Sequence, residues 1–186
     1  FSAWTAEERN LLGSEYYASH PWLPLETTVA NFTMDVLQPN GLARDIVLVG
    51  AGQNELDSLL AQKAAGQGRV VTPDAKPERG LAFRADHFPF ARRGVPALLL
   101  MGMGGGHDLV NGGREAGDRW VAEFTGKCYH QACDRWSESW DLRGAAQDVT
   151  LVYQMANQLA NSHAWPQWNP GSEFKAVRDS TGAQRK

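Results

Sequence analysis

VPALLLMGM, residues 95–103, is an apolar run that opens on Val95-Pro96 and closes on glycine and methionine. A run of this length with no polar alternation suits a strand buried on both faces, at the centre of an α/β sheet. A second strand, DIVLVG at 45–50, has the same character. Residues 29–37 (VANFTMDVL) form a largely buried strand that ends in a Gln-Pro-Asn-Gly turn, and residues 69–72 form a shorter one.

Helical patterns lie between and around these strands. Residues 55–65 carry Leu56, Leu59 and Leu60 at helical spacing, and residues 142–161 align Ala145, Val149, Val152, Met155 and Leu159 along one face. Residues 5–18 read as a helix with Thr5 as N-cap and Glu7 and Glu8 in the favourable first turn. The segment 83–93 is a loop leading into a short helix that stops at Gly94, and the glycine-rich segment 102–118 reads as a long surface loop. Alternating strands and helices predict an α/β fold with a mixed, mainly parallel sheet covered by helices on both faces. Residues 1–164 form the body, and residues 165–186 an extended C-terminal arm that wraps back onto it.

Bulk properties narrow the function. The chain has 186 residues, 42% hydrophobic and 21% charged, which fits one globular domain. A net charge of −3 with no basic cluster argues against nucleic acid as a partner. No stretch approaches the roughly 18 apolar residues of a membrane span. MGMGGGHD (101–108) lacks the strand-to-helix setting of a nucleotide-binding fingerprint. The first residue is Phe1, with neither a basic nor an apolar leader region, so the N-terminus is expected to be an internal cut.

Several residues invite chemistry. Glu7 and Glu8 either serve a helix N-terminus or divide the work between a metal and the proton of an attacking water. Asp35, inside an apolar strand, needs a cap, an arginine or a metal to offset its desolvation. The RADHFPF segment groups Arg84, Asp86 and His87 among aromatics, and Asp86 alone also fits a helix-entry cap. In CYHQACD, Tyr129 and His130 stand between Cys128 and Cys133, which either form a small disulfide, remain free thiols or join a Cys/His metal site. A structural zinc would want more Cys or His at short spacing, and only His130 is near. His20, His107 and His163 lack partners at ligand spacing.

Taken in order, TAEERNLLGSEYYASHP, VANFTMDVL, FRADHFPFARRGVPALLL, CYHQACD and WPQWNPGSEFKAVRD resemble the bacterial leucyl aminopeptidase and aminopeptidase Y family of zinc metallopeptidases, relatives of glutamate carboxypeptidase and glutaminyl cyclase. The resemblance spans nearly the whole chain. It implies a zinc-exopeptidase three-layer sandwich, peptide substrates and two zinc ions in the intact enzyme. It implies Glu7 as general base, Glu8 and His130 as ligands of one zinc, Asp35 as a ligand of the other, and Tyr129 as donor to the tetrahedral oxyanion. Arg84 and Asp86, with His87 beside them, match the loop lining the substrate site.

The family pattern also includes a His-x-Asp segment upstream of the Glu-Glu pair, which supplies a zinc ligand and the carboxylate bridging both metals. Residues 1–6 hold no such segment. The expectation is therefore a chain that has lost the N-terminal part of its catalytic domain, holds zinc in partial or no occupancy, lacks activity alone, and self-associates through exposed sheet edges. A glutaminyl cyclase-like acyltransferase and a non-catalytic binding module on the same fold are the alternatives. The cysteine pair and the resemblance both favour a periplasmic, cell-envelope or secreted location.

Overall fold

The computed structural model describes residues 1–185. Four strands form one open sheet: β1 (Asn31–Asp35), β2 (Asp45–Val49), β3 (Val70–Pro73) and β4 (Ala97–Met101), in the order β1-β4-β2-β3. β1 runs parallel to β4, and β2 parallel to β3, while β2 and β4 are antiparallel. β2 and β4 are buried along their whole length, as their unbroken apolar composition demands.

Alternation along these two strands divides the core into two layers. Ile46, Leu48, Leu98 and Leu100 face α2 (Leu56–Gly66) and α5 (Arg143–Ala160). Those helices present Leu56, Leu60, Ala64 and Leu151, Met155, Leu159, each set repeating every four residues. Val49, Leu99 and Met101 point the other way, toward Leu81, Ala85 and Met103, with Phe124 and Tyr129 packed alongside. A fully buried aliphatic side chain contributes about 1.5–3 kcal/mol, so these layers hold the sheet between them.

Buried ionic groups tie helices and loops to the sheet. Arg69 Nη2 pairs with Asp148 Oδ1 at 2.7 Å, an ion pair joining the start of β3 to α5, and the same guanidinium donates to the Asp45 carbonyl. The Asp45 carboxylate, at the head of β2, accepts from Asp108 N (2.8 Å), Thr72 Oγ1 (2.7 Å) and Arg114 Nη2 (2.6 Å). Burial alone would raise its proton affinity, but donors including His107 and Thr72 outweigh it and hold Asp45 below the usual carboxylate range.

Two sequence expectations need correction. The first helix, α1, spans Leu12–Ser19, and Thr5 caps nothing. Instead Leu12 N donates to the Ala6 carbonyl (3.2 Å) and Gly13 N to that of Thr5 (3.0 Å), closing a loop with Ala6, Asn10 and Leu11 at positive φ. Only glycine permits this closure, because a Cβ at position 13 would stand 2.4 Å from the Thr5 carbonyl oxygen.

The second correction concerns 102–118. Its first half, 102–107, is buried, and from Gly113 the chain is helical as α4 (Gly113–Glu123). Its glycines allow close packing: a Cβ on Gly117 would meet the His107 carbonyl oxygen at 2.1 Å. Beyond α5, Trp168 is buried and donates its indole N–H to Gly94 O at 3.0 Å, and α6 (Lys175–Ser180) brings Arg178 Nη1 to the Thr28 carbonyl at 3.0 Å.

Candidate active site

Four short segments meet beyond the end of β1 where Asp35 sits, paired in register with Met101 of the parallel β4. Ligands of open α/β sheets gather at such carboxyl-terminal strand ends. The closed loop before α1 contributes Glu7 and Glu8. The turns between Leu81–Phe83 and α3 (Phe88–Ala91) contribute Arg84 and Asp86. A π-helical turn, Phe124–Cys128, continues α4 and contributes Tyr129 and His130.

The π turn is an informative local feature. Tyr129 N donates to the Phe124 carbonyl at 2.8 Å, so one residue is inserted relative to an α-helix and the chain leaves the axis at Tyr129. His130 then takes φ +60°, a backbone state that costs a non-glycine residue energy and is common at working sites. Cys128 and Cys133 are bonded to each other, with Cα atoms 5.2 Å apart, and their bridge encloses Tyr129 and His130. The Tyr129 ring stacks on the His130 imidazole at 3.8 Å between centroids and packs against Phe124. Among the described residues the Tyr129 hydroxyl has no hydrogen-bond partner.

His130 Nε2 lies 2.8 Å from Glu8 Oε1. Glu7, Glu8, Arg84, Tyr129 and His130 line one cleft of about 380 Å³. Burial raises the proton affinity of Glu7, and Glu8, Asp35 and Asp86 add to it electrostatically. Asp35 is raised by burial and then by Asp86 and Glu8. Asp86 is also raised by burial, although it accepts a 2.6 Å hydrogen bond from the buried Ser14 hydroxyl. Four carboxylates are thus close enough to feel one another, and a cation would relieve their repulsion.

The structure does not bring His87 to this cleft. It is buried beside Ala82, Ala91 and Trp168 in a separate small cavity, and burial lowers its pKa to about 4, leaving a neutral ring at neutral pH. The sequence reading missed Leu11, Phe88 and Arg92, which line the cleft. The four-residue spacing of Phe88 and Arg92 on the short helical segment was the available signal.

Residues 1–154 match the model of peptidase family M28. The chain belongs to that family. No curated protein matches the chain significantly. All the residues of the cleft fall within the matched segment, and membership of M28 supports metal-dependent hydrolysis of peptide bonds, with peptides as substrates. No helix among the described residues is long and apolar enough to cross a membrane.

Carboxylate oxygens and an imidazole nitrogen are donors that suit the zinc typical of M28 peptidases. Among the described residues, however, no group of three or more His, Cys, Asp and Glu side chains stands close enough to hold a metal ion. The donors fit zinc in kind and fall short in number.

Proposed function

We propose that this M28 chain carries the catalytic base and part of the metal-binding set of a zinc-dependent aminopeptidase, removing residues from peptide N-termini. The observation that carries the reading is the convergence of Glu7, Glu8, Tyr129 and His130 on one cleft, with Glu7 made more basic by burial and by its acidic neighbours. Glu8 and His130 would hold one ion and Asp35 a second. When bound, zinc lowers the pKa of a coordinated water toward about 7.

Glu7 accepts a proton from water and returns it to the leaving amine, a task that suits a carboxylate with raised proton affinity. Tyr129, its hydroxyl unengaged and its ring fixed by Phe124 and His130, donates a hydrogen bond to the oxygen that gains charge. Asp86, held by Ser14, supports the arrangement and contributes negative charge that favours a substrate amine. A bonded Cys128–Cys133 pair persists in oxidising surroundings, which supports a periplasmic, cell-envelope or secreted location.

Two donors for one ion and one for the other are fewer than a catalytic zinc normally has. The chain alone should therefore bind zinc weakly and turn over little. The test compares a peptide bearing a free amine with its N-acetylated form. It uses the chain alone and the chain joined to an upstream segment carrying the His-x-Asp pattern, each with and without zinc. Zinc-dependent release of the first residue from the free-amine peptide by the joined protein supports the proposal. Cleavage of the acetylated peptide at internal bonds would overturn the exopeptidase reading, and robust turnover by the chain alone would overturn the weak-binding one.

A further inference from the structure

Beyond its acidic residues, the cleft has a cationic rim on an aromatic wall. Phe83 and Phe88 meet edge to face at 5.4 Å between centroids, and the Arg92 guanidinium carbon lies 5.7 Å from the Phe88 ring centroid. Arg84 lines the same cleft. What distinguishes these two arginines is the shortage of acids left to pair with them.

Glu15, the rim carboxylate beside Arg92, is engaged by Arg93 through two hydrogen bonds, of 2.6 and 3.2 Å. Arg92 Nη2 comes no closer to it than 3.9 Å, and half of the Arg92 side chain remains exposed. Glu8 is taken by His130 at 2.8 Å. Among the described residues no carboxylate lies within 4.0 Å of the Arg84 guanidinium. The cleft therefore holds both signs of charge, the Glu7 and Glu8 carboxylates and two under-paired guanidiniums.

We propose that Arg84 and Arg92 form an anion subsite that receives a carboxylate on the leaving side of the scissile bond, so that the preferred substrates are short peptides with a negative charge just after that bond. The proposal rests on the peptidase reading given above. A planar guanidinium offers paired donors that match a carboxylate, and stacking on Phe88 leaves the edge of Arg92 free to use them. A zwitterionic dipeptide would satisfy both halves, with its amine toward the acids and its terminal carboxylate toward the arginines. The volume, about 380 Å³, suits a ligand of that size. An acidic side chain in the same position offers the same chemistry.

Binding can be read without catalysis. The chain, kept metal-free with a chelator, is titrated calorimetrically with Leu-Gly, Leu-Gly-amide and Leu-Asp-amide, at low and at high salt. Leu-Gly should bind about three- to tenfold more tightly than Leu-Gly-amide, and the gap should narrow with salt, because exposed charges are screened. Leu-Asp-amide matching Leu-Gly would assign the subsite to acidic side chains as well, and Leu-Asp-amide matching Leu-Gly-amide would restrict it to the terminal carboxylate.

In the Arg84→Gln/Arg92→Gln double variant the preference should vanish, while in Arg84→Lys/Arg92→Lys it should persist in part. Thermal unfolding of each variant checks that the fold survives. Equal affinity for all three ligands, no measurable binding, or a preference that survives the glutamine substitutions overturns the proposal. If the preference appears but no peptide is hydrolysed under any condition, the peptidase reading fails and the subsite stands.

Discussion

Replacing Asp148 by Leu should unfold this protein far more readily than replacing Asp148 and Arg69 together. Both side chains are almost completely buried, 3% and 2% exposed, and meet at 2.7 Å. Burial raises the proton affinity of Asp148 more than Arg69 lowers it, so the attraction between the pair does not fully offset the cost of burying the carboxylate. Removing Asp148 strands a guanidinium whose remaining partners are the Asp45 carbonyl and Gln67 Oε1. Leaving a buried charge unpaired costs about 3–5 kcal/mol. For a domain of this size that corresponds to a Tm lower by roughly 6–20 °C. The Arg69→Met/Asp148→Leu double variant removes both charges and should lie within about 2 kcal/mol of the parent, on either side. Urea unfolding followed by circular dichroism gives the full cycle. Because the pair lies on the α2/α5 side of the sheet, the double variant should keep the zinc and peptide binding of the parent. An Asp148→Leu loss below about 1 kcal/mol, or a double variant no more stable than Asp148→Leu, would refute this reasoning.

Three further outcomes are expected. In the zinc-loaded enzyme Tyr129→Phe keeps the ring packing and loses the hydroxyl, so kcat should fall about 100-fold or more with KM and Tm nearly unchanged, as steady-state kinetics and thermal melts would show. Glu7, Asp35 and Asp86 have raised folded-state pKa values, so their contribution to stability is present below the ordinary carboxylate range and lost as pH rises through the raised values. The metal-free Asp35→Asn variant should accordingly melt a few degrees higher than the parent at pH 7, with the difference shrinking toward pH 4 in parallel melts. Reduction of Cys128–Cys133 by dithiothreitol, or its replacement by Ser, should loosen the turn holding Tyr129 and His130 and lower zinc affinity severalfold, with little change in far-ultraviolet circular dichroism.

The strands and the long helix were legible in the sequence because burial on both faces leaves no room for polar alternation at 45–49 and 97–101, and α5 repeats its apolar face over five turns. The loop around Glu7 and Glu8 was not. Two acids ahead of an apolar segment look locally like a helix start, and only the packing of Thr5 onto Gly13 shows otherwise. The glycines of 102–118 looked like flexibility because their role, letting the backbone at His107 meet α4, appears only once the chain is folded. No periodicity marks the π turn, which needs one inserted residue. The proposed site residues came from the ordered resemblance, since each alone had an ordinary structural explanation. His87 is the exception: Arg84 lines the cleft, while His87 lines a separate buried cavity.

The most direct test of the proposed site is zinc titration of the chain itself, followed by NMR of its histidine rings and by calorimetry. The expected result is weak binding that shifts the His130 ring resonances first and is further weakened in Glu8→Gln and Asp35→Asn, while His163→Ala changes nothing. Zinc affinity indifferent to Glu8, Asp35 and His130, or centred on His20 or His163, would contradict the assignment of this cleft as the metal and catalytic site.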